Sequence, residues 1–350
     1  MRWPVAWGSR KPMALRWGII GAGRIARKVG LAMRQAPRVD LCALWARRPE
    51  AAAALAAELG INRVYHDMEH MWHDDAVDAV YVALPNHLHA SVTLAALRAG
   101  KHVLVEKPMA CTAVEVAEMQ QVARAHNRVV MEAMMYRNHP QTTQVEALIA
   151  SGAIGEVRQV HVAFGYRQDN PHDIRMVEPV GAGAIFDIGC YGVNLVNRLM
   201  PVLPTQVWGD AVCADNRVDV LATSVVRYSG MQQAHINVSF VGGFYQHARI
   251  IGYDGVIELE RPFTLLPDRE ASIRLWRGAH FATLEHVVVP ATNHFVAQAE
   301  VFARAVADPP HRSELTEESA TLANAAVIDA WHRSLVSGQP ERVVYFHESV

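Results

Sequence analysis

LRWGIIGAGRIARKVG, residues 15–30, runs from an apolar stretch directly into a tight glycine turn and out again into a helical pattern. The turn reads GxGxxA. Gly21 suits the sharp bend, Gly23 leaves room for a pyrophosphate to approach the backbone, and small Ala26 lets a helix pack closely on its strand. A strand, this turn and a helix in that order open a dinucleotide-binding βαβ unit, and the segments that follow continue the series.

Working outward, short apolar runs suited to buried strands recur at 15–20, 39–45, 63–65, 78–84, 102–106 and 129–132. Ala/Leu-rich stretches of helical period lie between them, at 49–60 and 89–100, and each closes on a glycine, Gly60 and Gly100. Strands alternating with helices of this length predict a parallel sheet covered on both faces.

After a helical stretch at 141–152 the pattern changes. Longer alternating runs at 157–166, 218–228, 232–240 and 247–253 suit an antiparallel sheet with one covered face, and helices are expected at 293–308 and 317–338. The expected fold class is therefore α/β: an N-terminal Rossmann domain with a doubly wound parallel sheet (14–136), then an α+β domain with a large open antiparallel sheet (137–350). Residues 1–13 are expected to be a disordered arm, or to precede a functional start at Met13.

The chain has 350 residues, 51% apolar and 19% charged, with 33 Lys and Arg against 35 Asp and Glu and no long run of one sign. That composition suits a globular protein and gives no reason to expect nucleic acid or a membrane as partner. Cys42, Cys111, Cys190 and Cys213 are widely spaced, with no CxxC. Reduced thiols and a cytoplasmic location are expected, with no structural zinc.

About twenty residues beyond the glycine turn the second strand ends in LWARRPE (44–50). An acid there would accept from the ribose 2′-hydroxyl of NAD; Arg47 and Arg48 suit the 2′-phosphate of NADP instead. NADP is thus favoured and NAD remains open, since an arginine can also stack on adenine.

Six motifs together, GAGRIA (21–26), LPNHLH (84–89), EKPMA (106–110), MYRNHP (135–140), SGAIGEV (151–157) and GAGAIFDIGCY (181–191), resemble the glucose-fructose oxidoreductase / inositol dehydrogenase / rhizopine catabolism (Gfo/Idh/MocA) family. Within it, the DIGCY form is most similar to D-xylose and D-glucose dehydrogenases and to dimeric dihydrodiol dehydrogenases. The resemblance implies a catalytic lysine at Lys107, with the following proline often cis. It places Asn86 near the nicotinamide ribose and Arg137 near nicotinamide or substrate, with a salt bridge across the domain interface as the alternative reading of Arg137. Its motifs extend the cofactor-binding set to Arg24, Ile25, Leu84, Pro85, His89 and Glu106. It also implies a homodimer or homotetramer formed through the open sheet face.

The residues carry chemistry of their own. Lys107 should leave its strand at the carboxyl edge of the sheet, where doubly wound folds bind ligands, and Tyr136 with Arg137 should face the same cleft. Asp187 and Tyr191 share a face of a buried helix running on to about Leu199. Oxidising an alcohol by hydride loss also needs a group to take the O–H proton. Tyr191 is the candidate, with the Lys107 ammonium expected to stabilise its phenolate and Asp187 to orient substrate or lysine. Cys190 is expected to pack rather than react, because hydride transfer requires no thiolate. His87 and His89 do not share a helical face, and His66, His70 and His73 sit among acids, so no metal is expected. Tyr136, Arg175, Asp187 and Tyr191 join Lys107 as candidate substrate contacts, Arg175 from the polar stretch 167–179.

The expected activity is hydride transfer between nicotinamide and a sugar or polyol, an aldose C1 carbinol or a related keto-sugar. A trans-dihydrodiol dehydrogenase and a dinucleotide-dependent glycosidase are alternatives, and a non-catalytic dinucleotide-binding sensor or scaffold is the alternative of another class.

Overall fold

A computed structural model describes residues 14–177, 180–278 and 282–345. The expected N-terminal arm, 1–13, lies outside them, as do residues 178 and 179 of the polar stretch. The first half runs β1 (Leu15–Ile20), α1 (Arg24–Met33), β2 (Val39–Trp45), α2 (Pro49–Leu59), β3 (Arg63–Tyr65), α3 (Met68–Trp72), β4 (Ala79–Val82), α4 (His89–Arg98), β5 (His102–Val105), α5 (Ala113–Ala125) and β6 (Val130–Glu132). Its six strands are all parallel, in the order β3-β2-β1-β4-β5-β6. Local chemistry marks the element ends. Gly60 takes a left-handed conformation (φ 66°) and closes α2 with its N–H, while Thr112 and Glu115 form a reciprocal capping box at the start of α5.

The second half contains α6 (Pro140–Ala150), β7 (Val157–Gly165), α7 (Ile174–Val177), α8 (Cys190–Leu199), β8 (Pro204–Cys213), β9 (Asp219–Tyr228), β10 (Gln233–Ser239), β11 (Tyr245–Gly252), β12 (Gly255–Leu259), β13 (Ala271–Arg277) and β14 (Thr283–Val289). Then come α9 (His294–Ala307), α10 (Arg312–Thr316), α11 (Glu318–Ser337) and β15 (Glu341–Arg342). These strands form a nine-stranded sheet, β14-β13-β12-β11-β7-β10-β9-β8-β15. It differs from the expected antiparallel sheet in one pair: β10 runs parallel to β7. Between those strands the chain crosses the sheet face as α8, the kind of connection a parallel pair requires.

One face of this sheet buries Val207, Ala222, Val226, Ala234 and Ile236 beneath the helices, with Trp331 of α11 fully buried. Trp208, Val212 and Leu221 alternate onto the other face and stay exposed. The last helices return to the first half. Phe302 of α9 packs on Trp17 of β1 (ring centroids 4.7 Å), Ala113 N–H donates to Asp329 (3.0 Å), and Arg124 pairs with Glu318 (3.1 Å). No helix among the described residues is long and apolar enough to cross a membrane.

Candidate active site

In the parallel sheet the strand order reverses between β1 and β4, and a crevice opens there at the carboxyl ends of the strands. Gly21 leaves β1 with φ 116°, and a Cβ at this position would collide with the Ala83 carbonyl beyond β4. Only glycine permits that approach. At Gly23 an added Cβ would meet nothing of the protein within 4 Å. No side chain caps α1, so the amides of its first turn, Arg24 to Ala26, face the crevice as an anion site. Arg47 and Arg48 are exposed at the end of β2, with no acceptor engaging them among the described residues. These features fit a dinucleotide.

The expected neighbours divide into two groups. Asn86, between Leu84–Pro85 and α4, donates from Nδ2 to the Gly181 carbonyl (2.7 Å), tying the crevice to the segment 181–194. His89 is fully buried, its ring nitrogens 2.8 Å from the Pro108 carbonyl and 2.9 Å from that of Leu84. Burial lowers its pKa to about 4, against the pull of the two carbonyls, and the ring braces the Lys107 turn. Glu106 is buried and accepts from the Tyr81 hydroxyl at 2.5 Å; burial raises its pKa.

Two residues expected in the cleft are elsewhere. The turn 135–138 after β6 rotates Tyr136 inward, where it is fully buried and its hydroxyl donates to Asn194 Oδ1. Arg137 is also buried, donating to Glu317 Oε2 (3.1 Å) and the Glu132 carbonyl (3.0 Å). The salt-bridge reading of Arg137 is the geometry found.

Lys107 follows β5 through a cis bond to Pro108. Its Nζ donates to Asp187 Oδ1 (2.9 Å) and to the Asp187 carbonyl (2.7 Å), and lies 5.1 Å from the centre of the Tyr191 ring. The segment 185–189, expected to be ordinary α-helix, is a π-helical turn that runs into α8; Cys190 N–H bonds back to Ile185 O. Within this wider turn the Asp187 carbonyl accepts from Lys107 Nζ. Cys190 is buried, and burial raises its thiol pKa, so it is held as the unreactive thiol.

Asp187 has two further partners. Arg175 Nε approaches Oδ1 at 3.1 Å, and the Tyr166 hydroxyl, at the end of β7, donates to Oδ2 at 2.7 Å. Burial would raise the Asp187 pKa, but Lys107 and Arg175 outweigh it and hold the carboxyl below the ordinary range. Burial alone would lower the Lys107 pKa, and Asp187 and Tyr191 reverse this, so it is raised and the ammonium persists.

The Tyr191 phenol behaves otherwise than its sequence context suggests. Burial raises its pKa, and Lys107 lowers it by less, so the phenol stays protonated in this state. Tyr166 was not among the expected site residues, and a tyrosine one position beyond a strand has no sequence signal to mark it.

Among the described residues, no group of three or more His, Cys, Asp or Glu is arranged to hold a metal ion. The arrangement can bind a dinucleotide, present a phenolic proton beside a fixed ammonium, and position a hydroxyl-bearing substrate against both.

The comparisons agree with this geometry. The family described as the GFO/IDH/MocA oxidoreductase family, NAD-binding Rossmann fold, matches residues 15–134, and the GFO/IDH/MocA C-terminal domain matches residues 142–258. A D-xylose 1-dehydrogenase (NADP(+)) from Haloferax volcanii is 33% identical over 93% of this chain and 98% of its own. A trans-1,2-dihydrobenzene-1,2-diol dehydrogenase from Xenopus tropicalis is 32% identical over 71% of this chain and 76% of its own. Among solved structures, a 3-ketoreductase from Actinomadura kijaniata in complex with NADP and TDP-benzene superimposes with a TM-score of 0.85 at 29% identity, covering 95% of this chain and all of that one. With both halves matched in order and the dinucleotide crevice in place, the chain belongs to the Gfo/Idh/MocA family and is an NAD(P)-dependent oxidoreductase acting on CH–OH groups.

Proposed function

We propose that the enzyme is an NADP-preferring sugar oxidoreductase in which Tyr191 carries the proton, Lys107 is its electrostatic partner and Asp187 fixes the lysine. The observation that carries this reading is the Lys107 ammonium, bonded to Asp187 at 2.9 Å while standing 5.1 Å from the Tyr191 ring centre. The nicotinamide, when bound, supplies or accepts the hydride at C4. The protonated phenol of Tyr191 is ready to donate to a carbonyl oxygen as that oxygen gains charge. In the oxidative direction the same phenol must first lose its proton, and Lys107 stabilises the resulting phenolate. Lys107 also donates toward the reacting oxygen, and Asp187 keeps its Nζ from turning away.

The substrate is a neutral hydroxylated molecule, an aldose or related keto-sugar. Arg167 pairs with Asp169 (2.7 Å) and Arg175 with Asp173 (3.0 Å) and Asp187 (3.1 Å). Both arginines of the stretch 167–177 are thus paired within the chain, which disfavours a nucleotide diphosphate there. Arg47 and Arg48, exposed and met by no acceptor among the described residues, favour the 2′-phosphate of NADP. The exposed Trp208, Val212 and Leu221 favour pairing of the open sheet face with a second copy.

The test is a panel of aldoses, keto-sugars, diols and nucleotide-linked sugars assayed with NADP(H) and NAD(H) by absorbance of the reduced nicotinamide. Turnover of an aldose or keto-sugar with NADP(H) is expected. Turnover confined to diols or nucleotide-linked sugars would overturn the substrate assignment, and binding of the dinucleotide without any turnover would favour a sensor.

A further inference from the structure

The segment that carries Asp187 and Tyr191 begins without a cap of its own. Ala184, where a capping side chain would stand, makes no side-chain hydrogen bond to the turn that follows. The amides at such a start need acceptors when they are buried, and Ala184 and Ile185 are both fully buried.

The acceptor arrives from another strand. Asp219, the first residue of β9, is only 6% exposed, and its Oδ2 accepts from Ile185 N–H at 2.8 Å. The fit is close on the other carboxylate oxygen as well. Gly183 has φ 99°, and a Cβ there would collide with Asp219 Oδ1. The Gly183 carbonyl in turn accepts from Asp187 N–H at 3.1 Å, so glycine, carboxylate and π-turn form one linked unit.

We propose that Asp219 is a positioning residue: its carboxylate caps the buried start of the 185–199 segment from β9 and thereby sets where Asp187 and Tyr191 stand relative to Lys107. Asp187 lies two residues beyond the capped amide, and its carboxylate and carbonyl both meet Lys107 Nζ within 2.9 Å. A shift of about 1 Å in such a constellation costs on the order of a hundredfold in rate. The electrostatics agree with a cap rather than an ion pair. Asp219 has no cationic partner among the described residues; burial lifts its pKa to about 7, against the pull of backbone N–H groups that include Ile185 and Ala184. A buried carboxylate answered by backbone donors at the positive end of a helix is an N-cap supplied from outside the helix.

The inference rests on the proposed roles of Tyr191, Lys107 and Asp187, and two readouts separate its failure from theirs. In the full-length protein, Asp219→Ala should lower kcat about tenfold or more while the Kd for NADP, followed by fluorescence, stays within about twofold. Asp219→Asn keeps an oxygen acceptor for the same amide and should stay within about threefold of wild-type kcat. A folded Asp219→Ala enzyme with wild-type kcat overturns the proposal, as does an Asp219→Asn enzyme as impaired as Asp219→Ala. If Asp219→Ala does not fold, Asp219→Asn decides alone: near-wild-type kcat supports the cap, and a tenfold loss in a folded protein overturns it. If the wild type turns over no substrate, the proposed function fails, and hydrogen exchange at the Ile185 amide decides the cap. Faster exchange in Asp219→Ala but not in Asp219→Asn upholds it, and unchanged exchange in Asp219→Ala overturns it.

Discussion

Lys107 Nζ is held by Asp187 twice, through Oδ1 at 2.9 Å and through the backbone carbonyl at 2.7 Å, so one residue fixes both the charge and the position of the ammonium. The two side chains are largely buried, and Arg175 adds a second cation 3.1 Å from the same oxygen. Removing the carboxylate would leave two cations facing each other in a desolvated site.

Asp187→Asn should therefore destabilise the fold by about 3 kcal/mol at neutral pH, the usual cost of breaking a buried pair. The pH dependence follows from the depressed carboxyl pKa. A carboxyl whose folded pKa lies below its unfolded value of about 3.9 contributes stability that is fully present above that value and is lost as the pH falls below it. Thermal melts from pH 7 to pH 3 should show the difference between wild type and Asp187→Asn shrinking below about pH 4. A constant difference across that range would contradict the buried ion pair.

Tyr191→Phe removes one oxygen from a ring that is already packed against Phe164 and Phe263. The hydroxyl's contact is weak, 3.5 Å to Met135 Sδ, so stability should change by less than about 1 kcal/mol. On the proposed proton path turnover should fall about a hundredfold or more, and the Kd for the dinucleotide should hold near wild type. Steady-state kinetics and fluorescence titration check both halves, and unchanged turnover would remove Tyr191 from the proton path.

How much of this site could be read from sequence depends on the range of each contact. The β1 turn and the parallel sheet are local patterns that periodicity and glycine placement expose, and the Lys107, Asp187 and Tyr191 motifs are legible through their resemblance to the family. Tyr136 misleads because leaving a strand end does not fix a direction, and the turn at 135–138 sends its ring into the core, where Asn194 satisfies it. Tyr166 and Asp219 act on the 181–194 segment from other strands, 21 residues before Asp187 and 34 after Ile185, and no spacing marks such pairs. The protonated state of Tyr191 is set by burial, which a motif does not reveal.

Tyr166→Phe tests a residue that only the fold brings forward. Its hydroxyl donates to Asp187 Oδ2 at 2.7 Å, and losing a hydrogen bond to a buried charge costs about 1.5–3 kcal/mol. With Lys107 and Arg175 both on or near Oδ1, the freed Oδ2 would let the carboxylate rotate and draw Lys107 with it. A fall in kcat of about tenfold is expected, with the Kd for the dinucleotide unchanged because the Tyr166 hydroxyl bonds Asp187 and not the glycine turn. Equal losses in kcat and dinucleotide affinity would show instead that the substitution disturbs the whole crevice.

Arg47→Ala addresses cofactor choice. Arg47 is exposed just past the end of β2, and the turn 21–26 and the uncapped start of α1 are common to any dinucleotide. Only the 2′-phosphate distinguishes NADP, and a charge-assisted contact to it is worth about 1.5–3 kcal/mol. The Kd for NADP should therefore rise about tenfold or more while that for NAD changes less than about threefold. Salt should narrow the difference between wild type and Arg47→Ala for NADP, since an exposed guanidinium–phosphate contact is screened at higher ionic strength. Parallel losses for the two cofactors would mean that Arg47 meets the adenine rather than the phosphate, and the NADP preference would then rest on Arg48 alone.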